Sequence, residues 1–184
     1  MKKAFVHFAT GFEETEAITI VDVLRRAKID TLMISVTGNI EVEGAHGIRL
    51  ITDVLFEEAD YDQAEILILP GGLPGATNLK AHTGLAAKLR DFHKQNQKLA
   101  AICAAPMVLG SLDILEGKDA VCYPGFEDEL KGAVVSYEPA IRSGNVITGR
   151  GVGTALDFSL EVVKELKGKE TADKLAEAML VSTW

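Results

Sequence analysis

Residues 98–110 read KLAAICAAPMVLG, and this segment contains the change from strand to helix that decides the fold. Residues 98–102 are apolar almost throughout, which predicts a buried β-strand. Proline is tolerated in the first turn of a helix, and we expect a helix to follow from Pro106 through Leu112. Cys103 therefore lies at a strand-to-helix junction, between small residues that permit a tight turn.

Strands and amphipathic helices alternate on both sides of this junction. Strands are predicted at 3–8, 31–36, 65–69, 120–123, 134–135 and 146–148, a hairpin at 41–42 and 48–51, and helices at about 13–27, 82–95, 154–166 and 170–179. The apolar stripe of the first helix is expected to comprise Ala17, Ile18, Val21 and Leu24. This alternation predicts a doubly wound α/β fold, with a mostly parallel sheet, helices on both faces and ligands at the carboxyl ends of the strands.

Length and composition indicate an ordinary globular protein. The chain has 184 residues, 47% hydrophobic and 25% charged, which predicts a single domain over residues 1–184. The apolar stretch 4–9 that follows Met1 and two lysines is too short for a signal peptide and is interpreted as a strand. No apolar run approaches the roughly 20 residues of a membrane-spanning helix, so we expect a soluble, cytoplasmic protein without a membrane partner.

Charge and residue spacing argue against several other classes of partner. A net charge of −8 opposes binding to nucleic acid. The glycine-rich residues 149–153 lack the full G-x-G-x-x-G spacing of a dinucleotide site because residue 154 is threonine. The four histidines show no metal-ligand spacing, so no metal is predicted. Two cysteines cannot form a disulfide scaffold, and both suit a reducing cytoplasm.

Cys103 is the leading candidate for chemistry. The residues around it resemble a nucleophile elbow, with cysteine in place of serine. Amide N–H groups and the dipole at the start of a helix favour a thiolate, so the pKa of Cys103 is predicted to be lowered. The alternative is a small buried core residue, a common environment for cysteine. Cys122 has no comparable setting and is interpreted as a core residue.

Gly71 and Gly72 are candidates for binding a substrate oxygen. They follow the buried strand 65–69, at the same edge of the sheet as Cys103, and glycine lets a backbone N–H approach a ligand closely. The alternative is an ordinary loop after a strand. No pattern in the sequence says which acid accompanies the thiol, because glutamates at 13, 14 and 16 are common in the first turn of a helix.

Four motifs in order resemble the ThiJ/PfpI family, most closely the branch of the parkinsonism-associated protein deglycase. The motifs are GFEETE at 11–16, LPGG at 69–72, AICAAP at 101–106 and TGRGVGT at 148–154, and together they extend over almost the whole chain. The resemblance implies a flavodoxin-like fold, a homodimer and no cofactor. It makes Cys103 the reactive residue, Glu16 the carboxyl group that approaches the thiol, and Gly72 and Ala104 the donors of the N–H groups that line an anion pocket.

Two positions depart from the family pattern, and a third matches a family position outside the four motifs. Many relatives carry a histidine where this chain has Tyr123, so the Cys-His pair of a conventional cysteine peptidase is absent. Proton transfer would then fall to Glu16, Tyr123 or water. Ala105 stands where relatives often have glycine. His46 matches a position near the dimer interface, where it is either an anion contact from the neighbouring subunit or a surface turn residue.

The sequence leaves three functions open. The leading one is cysteine-dependent conversion of small reactive carbonyls such as methylglyoxal, or of their adducts on glycated proteins, with Cys103 as nucleophile and Glu16 shuttling protons. The second is an oxidative-stress sensor or chaperone whose Cys103 is oxidised to sulfinate. The third, a peptidase or amidase, is weakened by Tyr123.

Overall fold

The computed structural model describes residues 3–181, so the first two and the last three residues of the predicted 1–184 domain lie outside it. Its strands are β1 (Lys3–Phe8), β2 (Thr31–Ser35), β3 (Glu41–Glu43), β4 (Arg49–Ile51), β5 (Val54–Leu55), β6 (Ala64–Leu69), β7 (Lys98–Ile102), β8 (Asp119–Ala120), β9 (Val134–Val135), β10 (Ala140–Ser143) and β11 (Val146–Gly149). Its helices are α1 (Glu14–Arg26), α2 (Gly75–Ala81), α3 (Thr83–Lys94), α4 (Pro106–Gly110), α5 (Ala155–Lys167) and α6 (Lys169–Ala178).

The main sheet has seven strands in the order β10-β11-β7-β6-β1-β2-β5. All its pairs are parallel except β10 with β11 at one edge. From β2 to β11 this is the flavodoxin-like doubly wound order, in which the winding reverses between β1 and β6. The predicted fold class is confirmed, and the carboxyl ends of β1, β6 and β7 lie side by side at that reversal.

Helices cover both faces of the sheet, and each face has its own hydrophobic core. The alternation along β6 shows the division, because Ile66 and Ile68 belong to the core under α1, α5 and α6. Leu67 and Leu69 point the other way, into the core that contains residues of α2, α3 and α4. Strands buried on both faces explain the continuous apolar runs in the sequence.

The structure differs from the predicted elements at a few places. A Pro-Gly sequence such as that at 74–75 is typical of a turn, but Gly75 begins α2. Strand β10 is absent from the predicted elements because it is a half-buried edge strand with a weak apolar pattern. Ile18 is predicted to lie in the apolar stripe of α1, yet it is 44% exposed, whereas Ala17, Val21 and Leu24 are buried. Within residues 3–181, no helix is both long and apolar enough to cross a bilayer.

Candidate active site

The turn after β7 holds Cys103 in a strained backbone conformation. Its φ of 65° lies in the left-handed region, which non-glycine residues seldom adopt. Two hydrogen bonds fix this turn, since Cys103 N–H donates to the Gly149 carbonyl at 2.9 Å and Cys103 C=O accepts from Tyr123 N–H at 2.8 Å. The side chain is only 9% exposed. The elbow is therefore a preorganised feature rather than a flexible loop.

Glu16 on α1 provides the carboxyl group beside this thiol. Its side chain is fully buried, and its Oε2 accepts a hydrogen bond of 2.9 Å from the Gly71 N–H. The carboxyl also hydrogen-bonds to the Cys103 thiol, while its Oε1 has no hydrogen-bond partner among the described residues. Burial raises the pKa of Glu16 to about 7, although the bonds to Cys103 and Gly71 oppose this shift.

The thiol does not have the lowered pKa that the sequence predicted. Burial raises the pKa of Cys103 to about 12, the Glu16 carboxylate contributes to the rise, and the N–H groups of Gly72 and Ala104 oppose it. The prediction relied on the start of the helix expected over 106–112, but α4 has only five residues and begins with Pro106, which has no N–H. Thiolate in this site therefore depends on a proton held by Glu16.

The two groups behave as a coupled pair that shares protons. While Glu16 is ionised, its charge disfavours a thiolate next to it. Once Glu16 is protonated, that repulsion is gone and the carboxylic acid can donate a hydrogen bond to the sulfur. The N–H groups of Gly72 and Ala104 point at the same sulfur. The arrangement suits a thiolate beside a protonated acid, with two further donors for negative charge.

Gly71 allows this close packing, because it has no side chain. A Cβ at this position would lie 2.5 Å from the Cys103 Cβ and 2.7 Å from the Glu16 Oε2. Sequence reasoning proposed Gly71 as a binding residue for a substrate oxygen, but its N–H is occupied by Glu16. Gly72, with φ of 91°, supplies the N–H that reaches the sulfur.

Replacing Gly71 with alanine is expected to damage the site. The Gly71→Ala side chain would push Glu16 away from Cys103, and overpacking of this kind costs about 1–3 kcal/mol of unfolding free energy. Thermal unfolding and alkylation of Cys103 would measure both effects. Gly153→Ala is a matched control, since a Cβ there meets no atom within 4 Å. Equal behaviour of the two variants would contradict the steric role of Gly71.

Tyr123 and His46 are the other two predicted site residues. Tyr123 is 47% exposed, and its ring lies 3.1 Å from the place where a Cβ of Gly151 would be. The backbone of Tyr123 holds the elbow, while the part of its hydroxyl in proton transfer stays a prediction. No histidine is among the hydrogen-bonding or charged partners of Cys103 in residues 3–181.

His46 lies in the loop between β3 and β4, where Glu14 holds it. Its N–H and Nδ1 lie 2.6 Å and 2.7 Å from the two carboxylate oxygens of Glu14. Hydrogen bonding to Glu14 raises the pKa of His46 above its ordinary value. The imidazole is otherwise exposed. Contact with a neighbouring subunit stays a prediction.

Glu13 and Glu14 look like ordinary residues of a helix start in the sequence, and the structure gives both a specific place. Glu14 is buried against His46, and Glu13 caps α1 by accepting from the Glu16 N–H. The spacing of Glu13 and Glu16 resembles that of a capping box, a signal that could have marked Glu13. Ligand atoms of Glu13, Glu14 and His46 lie within 4.8 Å of one another, a closeness that these hydrogen bonds explain.

Comparisons with known sequences agree with the geometry. A model described as the DJ-1/PfpI family matches residues 2–165. DJ-1 homolog B of Arabidopsis thaliana is 35% identical over 98% of this chain, which spans only 42% of that protein. Protein dj-1beta of Drosophila melanogaster is 34% identical over 98% of both chains. A Caenorhabditis elegans protein named glutathione-independent glyoxalase DJR-1.2 is 30% identical over 92% of this chain and 91% of its own length.

Solved structures give the same result. Oxidized DJ-1 of Toxoplasma gondii superposes with a TM-score of 0.94 at 32% identity, over 99% of this chain and 100% of the other. DJ-1beta of Drosophila melanogaster superposes with a TM-score of 0.92 at 34% identity, over 99% of this chain and 100% of the other. Both similarities cover nearly the whole of this chain.

Proposed function

The chain belongs to the DJ-1/PfpI family, and from this premise we propose that it is a cysteine-dependent enzyme that converts small reactive carbonyls such as methylglyoxal into hydroxy acids. The observation that carries the proposal is the hydrogen-bonded pair of Cys103 and Glu16, in which the carboxyl has a pKa of about 7. The glyoxalase name of the Caenorhabditis elegans relative supports the same chemistry. Adducts of these carbonyls on proteins form the second substrate class of the proposal.

The proposed reaction begins when the Cys103 thiolate attacks the aldehyde carbon of methylglyoxal. A C–S bond forms, and the carbonyl oxygen takes the proton of Glu16 to give a hemithioacetal. Glu16 then removes the proton on that carbon and returns it to the neighbouring carbon, while the hydroxyl proton of the hemithioacetal passes to the former ketone oxygen, so the ketone is reduced and the aldehyde carbon is oxidised. Water hydrolyses the resulting thioester to lactate and the free thiol. Methylglyoxal and water are the only reactants, so no cofactor is required.

In the proposed reaction, the N–H groups of Gly72 and Ala104 stabilise negative charge. They already hydrogen-bond to the sulfur, and we propose that they also stabilise the negative charge on the oxygen of a substrate bound to it. Peptide hydrolysis is a weaker proposal, because a leaving amine needs a proton donor such as the histidine that Tyr123 replaces. We propose the half-exposed Tyr123 side chain as a substrate contact instead.

The direct test is an assay of purified protein with methylglyoxal in the presence of a metal chelator. We expect lactate to appear in proportion to the methylglyoxal consumed, without glutathione or another added thiol. If the wild-type protein produces no lactate in the presence of the chelator, the glyoxalase proposal is wrong.

A redox role for Cys103 is the second candidate function. The T. gondii structure of similar fold is described as oxidized, and here a protonatable carboxyl and two N–H donors surround the sulfur. These donors would stabilise the oxygens of a sulfinate, formed when peroxide oxidises the thiolate and is reduced to water. Such a protein would act as a stress sensor or chaperone without turnover.

Graded treatment with hydrogen peroxide tests this role. Two oxygen atoms are expected on Cys103 at peroxide levels that leave Cys122 unmodified, because among the described residues only the Cys103 sulfur has a hydrogen-bonded carboxyl group that can hold a proton beside its thiolate. Peptide mass spectrometry reads each cysteine separately. Equal oxidation of Cys122 and the methionines would show that Cys103 has no special sensitivity.

We also propose a homodimer, from the family resemblance, and a cytoplasmic location, from the two free cysteines. Exposed isoleucines on α1 and near the β3–β4 hairpin, namely Ile18, Ile48 and Ile51, are consistent with a second copy packing there. Sedimentation equilibrium of the purified chain should give twice the monomer mass. A monomer at micromolar concentration would contradict the dimer.

A further inference from the structure

Glu13 takes part in a closed circuit of hydrogen bonds beside the candidate active site. Its backbone N–H donates to the Gly71 carbonyl at 2.9 Å. The Gly71 N–H donates to Glu16 Oε2 at 2.9 Å, and the Glu16 N–H donates to Glu13 Oε2 at 2.6 Å. Three residues thus fix one another, and one of them is the partner of Cys103.

The circuit joins the start of α1 to the loop after β6. Glu13 is the N-cap residue of α1, so its carboxylate satisfies an N–H that would otherwise lack a partner in the helix. A Cβ at Gly72 would overlap the Glu13 backbone nitrogen, which shows how closely the two segments approach. Any movement of Glu13 would shift both Glu16 and the loop that carries the Gly72 donor.

We infer that Glu13 is a positioning residue that holds Glu16 against Cys103 and, through its negative charge, keeps the shared proton on Glu16. This inference rests on the proposed roles of Cys103 and Glu16, and it adds a residue that touches neither substrate nor sulfur. Like charges disfavour each other's ionisation, so the charge of Glu13 favours the protonated Glu16 that thiolate formation requires.

Few other charged groups face the Glu16 carboxyl. From β7 the group that faces Glu16 is the Cys103 thiol, and from the loop after β6 it is the uncharged Gly71 N–H. From the β3–β4 loop, His46 is paired with Glu14 rather than with Glu16. Glu13 is therefore the ionisable neighbour, among the described residues, whose removal should change the titration of the pair.

The test is the rate of Cys103 alkylation by iodoacetamide as a function of pH, read by peptide mass spectrometry. Glu13→Gln removes the charge and keeps an oxygen that can accept from the Glu16 N–H. The lower midpoint of the rate profile, due to the Cys103–Glu16 pair, is expected to fall by about 0.5–1 pH unit. Above this midpoint the alkylation rate is expected to fall about three- to tenfold, because Glu16 then ionises more readily and the shared proton stays on the sulfur.

Three further variants make the result specific. Glu13→Ser places a second uncharged residue, one with a strong N-cap preference, at this position. If Glu13→Gln fails to fold, Glu13→Ser provides the test. Glu13→Asp keeps both cap and charge and should retain the wild-type midpoint. Asp22→Asn removes a charge from the exposed side of the same helix, where Asp22 pairs with Arg26, and should leave the profile unchanged.

The outcomes separate this inference from the proposed function. A shifted profile in both neutral variants supports the role of Glu13 even if the wild type produces no lactate. A profile that superimposes on that of the wild type overturns the inference even if lactate is formed. An equal shift in Asp22→Asn would also overturn it, because the effect would then belong to the total charge of the chain.

Discussion

Cys103→Ala is expected to abolish the conversion of methylglyoxal to lactate, with a loss of about 10³-fold or more in kcat/KM. The proposed reaction passes through a bond between the sulfur and the substrate carbon, which alanine cannot form. Alanine keeps the Cβ and the backbone of the elbow, where φ is 65°, so the fold should survive. Lactate formation and thermal unfolding, measured on the same preparation, check both statements.

Cys122→Ala is the matched control for this variant. Cys122 is as buried as Cys103 but belongs to the core on the opposite face of the sheet. Its loss should reduce stability slightly and leave the lactate rate unchanged. Activity that persists in Cys103→Ala, or disappears in Cys122→Ala, would remove Cys103 from the mechanism. A turnover lost in both variants would indicate a general effect on folding.

The sequence predicted the fold well because strands buried on both faces carry a strong signal. Residues 98–102 were predicted to be a strand and form β7, and Cys103 was placed correctly at the turn that follows. The starts and ends of the helices were harder to predict. Gly75 begins a helix because the Gly11 carbonyl accepts its N–H, a tertiary contact that no local pattern reveals.

The positions of the site residues could be predicted from the sequence, but the direction in which the pKa of Cys103 shifts could not. The resemblance placed Glu16, Gly72 and Ala104 near the thiol, and the structure brings these residues together. The predicted direction of the Cys103 pKa was wrong, because burial and the neighbouring carboxylate outweigh the N–H groups of Gly72 and Ala104. Burial of a polar group depends on the whole fold, and helix-end rules alone cannot provide it.

Glu16→Gln should separate proton transfer from thiol reactivity. The amide oxygen that this substitution introduces can accept the Gly71 N–H, and the amide nitrogen can donate to the sulfur as a protonated carboxyl would. The variant therefore keeps a hydrogen bond to the thiolate but cannot release and recover a proton. We expect lactate formation to fall about 10²- to 10⁴-fold, while alkylation of Cys103 by iodoacetamide persists. Loss of both activities would mean that the site had collapsed.

The same substitution should stabilise the protein in alkaline solution. The pKa of Glu16 is about 7 in the folded chain, above its ordinary value of 4.5, so the folded state binds this proton more tightly than the unfolded state. Stability is therefore highest below the unfolded pKa and declines as the pH rises through the folded pKa. Glutamine carries no charge at any pH, so Glu16→Gln avoids this loss.

Thermal unfolding at about pH 5 and about pH 8 measures the difference. The variant should exceed the wild type at the higher pH by roughly 2 kcal/mol, or about 4–8 °C in melting temperature, and approach it at the lower pH. Equal melting temperatures at both pH values would contradict a raised pKa for Glu16. A variant that is more stable and nearly inactive would show that the buried carboxyl destabilises the fold and is retained for its proton.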